Sequence, residues 1–402
     1  MAGPTFTAFA GLCNTLAPER LKNLPTPNEP AVDLSQALNV DIDDSGQLAR
    51  RAGQTLKHAG AAHSLWSTPD ECLFVTGRQL RRLRPDFTSE VLAQGLSEGA
   101  AVSYLAVNQR VYWTNGRQTG VVDGLVRSWG ITAAEPPFAQ ILAGGQFAAG
   151  QYQAATTLIR RDGQEGGCGL PALFTLQAGQ GVRINWPAPD EPGIDEVAVY
   201  LSEPDGMVLY QAGVFPAAQG SADITQARLA LPLNTQWLDA PPPGQCLALH
   251  NGRILIGAGD VVYGTTALGY EYVDLRDFLA IDGAPVTLLL SVAGGLFIGT
   301  TKAVYFAAGR RLEDYELVLV VNAPGVPGTG QLVDGFDATA NAALAGKPVA
   351  LFTTGAGVFL GLPDGSVQNL TQARFQFDAA AQGAALFRHD TAQRQYLLFM
   401  PR

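Results

Sequence analysis

Five segments of this chain repeat one pattern, a short apolar strand, a polar or glycine turn, and a second strand. They are "ECLFVTGRQLRRL" (71–83), "QRVYWTNGRQTGVV" (109–122), "GRILIGAGDVVYGT" (252–265), "GGLFIGTTKAVYFA" (294–307) and "AGVFLGLPDGSVQNL" (356–370). Each follows a further apolar run, "HSLW", "AVSYLAV", "QCLALHNG", "VTLLLSV" and "PVALFTT", and "GAALFRHDTAQRQYLLFMPR" closes the chain as a last copy. A unit that recurs in this way cannot bury its apolar faces alone, so copies must stack. Leu73 to Val111 spans 38 residues, Ile254 to Leu296 spans 42, and Val358 to Tyr396 spans 38. Those intervals match propeller blades of about 40 to 50 residues. Six or seven blades are expected.

Two intervals break the spacing. Leu296 to Val358 takes 62 residues, the excess holding "NAPGVPGTGQLVDG", which reads as a long loop. Val111 to Ile254 takes 143, a blade plus roughly 100 residues, so something is inserted there. Inside that interval "GGQFAAGQYQAATTLIRRDGQEGG", "GQGVRINWPAP" and "DEVAVYLSEPDGMVLYQAG" alternate apolar and polar residues, with a Pro-Asp-Gly turn at 204–206. Short alternating strands over this length describe a β-sandwich. The insertion resembles a fibronectin type III module, with Trp186 and Tyr200 where such modules pack core aromatics. The expected fold class is all-β, a β-propeller with an inserted immunoglobulin- or fibronectin III-like β-sandwich. The expected domains are 1–135 (amino-terminal segment and first blades), 136–233 (sandwich) and 234–402 (remaining blades). Proline-bearing connectors at 132–137 and 237–245 would make the sandwich separable. The last strand, "RQYLLFM", lacks partners within its own copy, so closure with the amino-terminal segment is expected.

Composition agrees with this reading and narrows function. With 46 glycines, 25 prolines and 47% hydrophobic residues, the chain is globular and densely punctuated by turns. Its net charge of −10 offers no basic face for stable nucleic-acid binding. The one basic cluster, Arg78, Arg81, Arg82 and Arg84, reads as a solvated or subunit-facing stripe. Cys13, Cys72, Cys168 and Cys246 stand far apart and read as reduced, mostly buried thiols. No positive charge precedes Arg20, so no secretory signal is read. "GAPVTLLLSVAGGLFIGTT" (283–301) is long enough to suggest a membrane span, yet Pro285, Gly294, Gly295 and Gly299 divide it into two buried strands. No membrane insertion is expected.

The stretch "NVDIDDSG" (39–46) opens like a calcium loop, with Asp41, Asp43 and Ser45 at alternate positions. Position 12 of such a loop is Ala52, which cannot supply the bidentate carboxylate. A hairpin turn fits better. His58, His63, His250 and His389 form no zinc motif, no G-x-S-x-G elbow or Walker loop is read, and Asp260, Asp334 and Asp337 read as hairpin and loop acids. Catalytic, cofactor-binding and metal residues are therefore none.

"FAGLCNTLAPERL…ALNVDIDDSGQLARRAGQTL" resembles the start of the nozzle or hub proteins of short-tailed bacteriophages, the tail tubular protein B-like family. Asn39, Gly46, Leu48, Arg50, Arg51 and Gly53 match the pattern N-x6-G-x-L-x-[RK]-R-x-G, and Cys13 departs from a position often polar in relatives. The resemblance implies a structural virion protein that is not an enzyme and needs no cofactor. It implies a ring of identical subunits, expected as a hexamer, around the DNA exit channel. Expected partners are tail adaptor or portal-proximal proteins, tail fibres, and double-stranded DNA in transit without sequence-specific binding. Assembly would occur in the bacterial host cytoplasm and the product would reside in the virion tail. A carbohydrate-binding or carbohydrate-active propeller, or a surface adhesin, is the alternative.

Overall fold

The computed structural model describes residues 9–23, 32–42, 46–53, 55–226, 230–281, 283–309, 311–371, 374–389 and 394–401. In the amino-terminal segment, β1 (Phe9–Leu12) pairs in parallel with β2 (Val32–Leu34), and β3 (Val40–Ile42) pairs antiparallel with β4 (Leu48–Arg50). The expected hairpin at 39–53 is formed. Its tip, Asp43–Ser45, lies outside the described residues.

Blade 1 is the meander β5 (Ala62–Ser67), β6 (Cys72–Thr76), β7 (Gln79–Leu83) and β8 (Ser89–Gln94). Blade 2 is β9 (Ser103–Val107), β10 (Arg110–Thr114), β11 (Thr119–Asp123) and β12 (Leu125–Arg127). Seven strands follow, β13 (Phe138–Leu142), β14 (Gly150–Arg160), β15 (Ala172–Leu176), β16 (Gly181–Asn185), β17 (Ile194–Ser202), β18 (Leu209–Pro216) and β19 (Ser221–Ile224). Blade 3 is β20 (Cys246–His250), β21 (Arg253–Ala258), β22 (Val261–Thr266) and β23 (Gly269–Ala280). Blade 4 is β24 (Val286–Val292), β25 (Gly295–Thr300), β26 (Val304–Ala308) and β27 (Glu316–Val321). Blade 5 is β28 (Gln331–Asp334), β29 (Pro348–Thr354), β30 (Gly357–Gly361) and β31 (Val367–Asn369), with a short helix α1 (Gly335–Thr339) between its first two strands. The hairpin β32 (Ala384–His389) and β33 (Arg394–Phe399) comes last.

Where six or seven blades are expected, five four-stranded meanders, each neighbour packed on the next, and the two-stranded last hairpin make the β-propeller among the described residues. First strands lie side by side, β9 by β20, β20 by β24, β24 by β28, and β28 by β32. Apolar side chains fill the spaces between sheets, because central strands are buried on both faces and so read as continuous apolar runs. Leu73, Val75, Tyr104 and Trp113 pack blade 1 on blade 2; Val107, Tyr112, Leu247 and Ile256 pack blade 2 on blade 3. Leu255, Leu289 and Leu296 join blades 3 and 4, and Phe297, Phe352 and Phe359 join blades 4 and 5. The apolar stretch at 283–301 is the buried hairpin β24–β25, and no helix among the described residues is long and apolar enough to cross a membrane.

The insertion consists of two sheets, β13-β16-β19 and β15-β14-β17-β18, closed over Phe147, Tyr152, Ile184, Trp186, Val197, Val199 and Leu201. Trp186 occupies this core and donates its indole N–H to Ala217 O at 3.1 Å. Tyr200 does not. Strand alternation sends Val197, Val199 and Leu201 inward and Tyr200 to the opposite face, among Ala155, Cys168 and Leu209.

Two further expectations are corrected. Val358 lies in β30, the third strand of its blade, whereas Leu73, Val111, Ile254, Leu296 and Tyr396 lie in second strands. The blade's first strand, β28, falls inside the segment expected as loop. It has four residues and is separated from β29 by α1, so it lacks the repeat's look. In addition, β33 pairs with β32 alone among the described residues, and the amino-terminal strands meet the last hairpin through side chains, with no shared ladder.

Candidate functional site: the elaborated face of the propeller

In a four-stranded meander the turn between strands two and three, and the connector to the next blade, emerge at the same end. The insertion occupies the connector from β12 to β20, so it rises from that face. The chain leaves blade 2 at Trp129, wedged between Tyr112 and Tyr270 with its indole N–H donated to Tyr270 O at 2.7 Å. It then runs beside its own returning connector. Asp239 Oδ1 accepts from Ala133 N at 2.8 Å and from Ala240 N at 2.7 Å.

The loop from β14 to β15 is threaded between these connectors. Ala134 N donates to Gly167 O, Trp237 N donates to Cys168 O, and Thr235 Oγ1 donates to Gly166 O. So close a passage demands glycine, since a Cβ on Gly167 would come within 1.7 Å of Leu238 O. Arg160, 8% exposed, donates from Nη2 to Gly130 O at 2.6 Å and from Nη1 to Ser128 O at 3.3 Å, with Glu191 Oε1 at 3.5 Å. Tyr272 of blade 3 donates to Glu165 O at 2.6 Å, and Glu165 Oε1 accepts from Tyr200 (2.6 Å) and Thr157 (2.5 Å). Burial first, then the bond to Glu165, raises the Tyr200 phenol far above its ordinary range. It stays a donor. Beneath, Glu271 accepts from Arg110 at 2.9 Å and Tyr112 at 3.3 Å, and burial lifts the Tyr112 phenol to about 12. These bonds hold the sandwich in one orientation. It is mounted, not tethered.

The amino-terminal segment begins on this face, where Asn14 meets Gln376 on the connector after blade 5, and reaches toward the other end, where Asp41 meets Arg388 beside the β32–β33 turn. Asn39 adopts φ 56°, tolerable for asparagine, and its carbonyl accepts from Arg51 N at 3.0 Å. Gly46 (φ 78°) accepts from Phe9 N at 2.8 Å. Asp41 Oδ1 receives Arg51 Nε and Nη2 at 3.0 and 2.8 Å, and Oδ2 lies 3.5 Å from Arg388 Nη2 on β32. The bonds from Arg51 hold the Asp41 carboxyl below its ordinary range. Buried Asp33 is paired with Arg374, and the Asn14 amide bonds both backbone groups of Gln376, at 2.6 and 2.8 Å. Beside this contact is a cleft of about 500 Å³ lined by Asn14, Gly355, Gly357, Phe375, Phe377 and Asp378. Leu48 and Arg50 of the motif are exposed.

Other residues singled out in the sequence fall elsewhere. Asp334 caps α1 by accepting from Phe336 N, Asp337 lies 3.4 Å from His389, and Asp260 sits in a turn of blade 3 at the opposite end from α1. These acids do not converge. His250 Nδ1 is 2.8 Å from Ser291 Oγ, His63 Nδ1 is 3.0 Å from Ser64 Oγ, and the His58 ring meets Phe74. The basic cluster makes its bonds within blade 1, with Arg78 and Arg84 exposed to solvent. Arg82 forks onto Glu71 at 2.7 and 2.8 Å, Arg84 pairs with Glu90, Arg81 reaches Ser89, and Arg78 donates to Leu96 O. Against the expectation that no such elbow occurs, Gly95-Leu96-Ser97-Glu98-Gly99 matches G-x-S-x-G. It forms the β8–β9 connector, where Ser97 N donates to Gln118 Oε1 at 2.9 Å, and no helix follows to make an elbow. All four cysteines are free, and burial raises Cys168 to about 11 and Cys246 to about 12. No group of histidine, cysteine and acidic side chains among the described residues is arranged to hold a metal.

No protein-family model and no curated protein matches the chain. Among solved structures it is similar to an extracellular domain assigned to a hybrid two-component system of B. thetaiotaomicron, at 9% identity and TM-score 0.32. That match covers 81% of this chain and 36% of the other, so the chain spans about a third of that neighbour's length. It is also similar to BBS1N in complex with ARL6DN (11% identity, 85% and 94% covered, TM-score 0.31) and to the AfRom2 CNH domain (6%, 85% and 94%, 0.27). At TM-scores this low the propeller rests on its own sheet order.

Proposed function

We propose that this chain is a structural protein of a bacteriophage tail, one subunit of a nozzle or hub ring around the DNA exit channel. The observation that carries the reading is the amino-terminal latch. Asn39, Gly46 and Arg51 of the motif each have a structural task in the hairpin, and Asp41 between them reaches the last propeller hairpin through Arg388. Leu48 and Arg50 remain outward, available to a neighbour. The rigid mount supports the same reading, since a ring that carries fibres needs its peripheral module in a fixed direction. A chain with 36 acidic and 26 basic residues suits a lumen through which DNA slides without attachment.

Negative-stain microscopy of the purified chain, alone and after mixing with tail adaptor protein, tests this. Closed rings with a central channel and peripheral projections are expected. Particles that remain single propellers at every concentration and with adaptor would overturn it.

A further inference from the structure

The apolar joint between blades 3 and 4 contains one polar ring. Cys246 and Ala248 of β20 face blade 4 in the core the two blades share, so strand alternation sends His250 to the same side. There it is 6% exposed, at the end of the joint where the β20–β21 and β24–β25 turns lie. Its Nδ1 is 2.8 Å from Ser291 Oγ on β24, and its Nε2 is 3.1 Å from Asn251 Nδ2. Tyr315, just before β27, meets the ring edge-on at 6.0 Å. An amide nitrogen only donates, so Nε2 accepts, and Nδ1 holds the ring's proton and donates to Ser291. The ring bridges the two blades in its neutral form.

Nothing around it favours a charge. Its polar partners among the described residues, Ser291 and Asn251, are neutral. β24 and β25 carry no ionisable side chain, and β26 and the run into β27 bring the phenols Tyr305 and Tyr315 to the joint. Across the ladder His250 stands opposite Arg253 of β21, a cation. Asp277 of β23 lies in the field of Arg253, Arg311 and Glu313, and Glu313 is itself paired with Arg311. Asp274 is paired with Arg276, and Asp314 and Glu316, on either side of Tyr315, are exposed. Burial holds the imidazolium back and lowers His250 below its ordinary value.

We propose that His250 makes the joint between blades 3 and 4 acid-sensitive, so that it opens before the rest of the chain. Uptake of a proton at Nε2 sets an N–H against the Asn251 amide and leaves a cation without a counter-ion in an apolar core. Turning the exposed amide to offer its oxygen relieves the first penalty and not the second. Stacked repeats are held by nearest-neighbour interfaces, so the loss stays local. The ring's contribution is whole above the unfolded value of about 6.5 and is lost as pH falls below it, by at most about tenfold in the opening equilibrium per pH unit. Asp277 works the other way. Burial and Glu313 raise its carboxyl, so its protonation steadies the joint at lower pH, and the decisive window lies between about 7.5 and 5.5.

Amide hydrogen exchange of the full chain, read as protection factors at both ends of that window, tests this. Protection in β20–β21 and β24–β25 should fall by up to about tenfold on acidification. The sandwich strands, which contain no histidine, should keep theirs. His250→Gln, which cannot titrate, should remove the difference. Unchanged protection in the wild-type chain overturns the proposal. So does an equal loss in the sandwich, or the same loss in His250→Gln, since another group is then at work. Should glutamine unfold the chain, histidine-selective NMR of the wild type decides, with His250 assigned by elimination through variants of His58, His63 and His389. Its ring should carry the proton on Nδ1 at neutral pH and titrate below about 6.5. Titration at or above that value sinks the idea.

Discussion

Replacing Arg160 by methionine should loosen the mount of the sandwich while leaving both cores folded. Methionine keeps an apolar stem of similar reach, so the loss is polar. Two bonds disappear, at 2.6 Å to Gly130 O and 3.3 Å to Ser128 O, and Glu191 loses a cation 3.5 Å away. Bonds to a charged group contribute about 1.5–3 kcal/mol each, and removing one partner of a buried, hydrogen-bonded pair costs about 3–5 kcal/mol. The Arg160 side chain is 8% exposed and Glu191's 15%, so solvent screening discounts this little. Arg160 belongs to neither the sandwich core nor any blade core. The loss therefore falls on the closed seam, whose opening equilibrium should rise about a hundredfold to a few thousandfold. Limited proteolysis at 132–137 and 235–245 reads this directly when opening is fast relative to cleavage, and small-angle scattering should show a more extended particle. Arg160→Lys, keeping the charge but not the fork, should lie between. An unchanged cleavage rate, with the whole chain melting as one unit at a lower temperature, would show that seam and cores are not separable.

Three other perturbations check the fold and the latch. Asp41→Asn should lower stability at neutral pH and flatten its acid limb. The carboxyl is held low by Arg51, so its contribution is present above the unfolded value of about 3.9 and is lost as pH falls through the folded one; urea midpoints between pH 6 and 3 measure both. Gly120→Ala should cost about 1–3 kcal/mol in chemical denaturation, because its Cβ would stand 2.6 Å from the Trp113 ring. Calorimetry with millimolar calcium should give no binding at 41–46, since Asp41 is already occupied by Arg51 and Ala52 supplies no ligand.

What the sequence disclosed follows from the range of each interaction. Blades are local meanders whose strands alternate or run apolar over five to seven residues, so Leu73, Val111, Ile254 and Leu296 mark equivalent strands by spacing alone. β28 escaped because four residues beside a helix carry no periodicity. Tyr200 was placed in the wrong core because a buried aromatic looks the same on either face of β17, and only the parity with Val199 and Leu201 separates them. The seam was illegible for a different reason. Tyr272 meets Glu165 across 107 positions of sequence, and Arg160 meets Gly130 across 30, with no motif linking them. Gly130, Gly166 and Gly167 are local signals of the close passage, and among 46 glycines they do not stand out.

The place of the insertion follows from the topology. Within a blade each turn joins hydrogen-bonded neighbours and is held short by their register, and the one elaborated turn, between β28 and β29, carries only α1 and a 3-10 turn between the paired ends Asp334 and Pro348. The connector from an outer strand to the next inner strand pairs with neither, and can be lengthened without removing a ladder bond. The sandwich uses the connector between blades 2 and 3, and the Asn14 contact uses the one after blade 5, at Gln376. The sandwich and the Asn14 contact therefore share one end of the propeller, while α1 and the Asp41–Arg388 contact lie at the other.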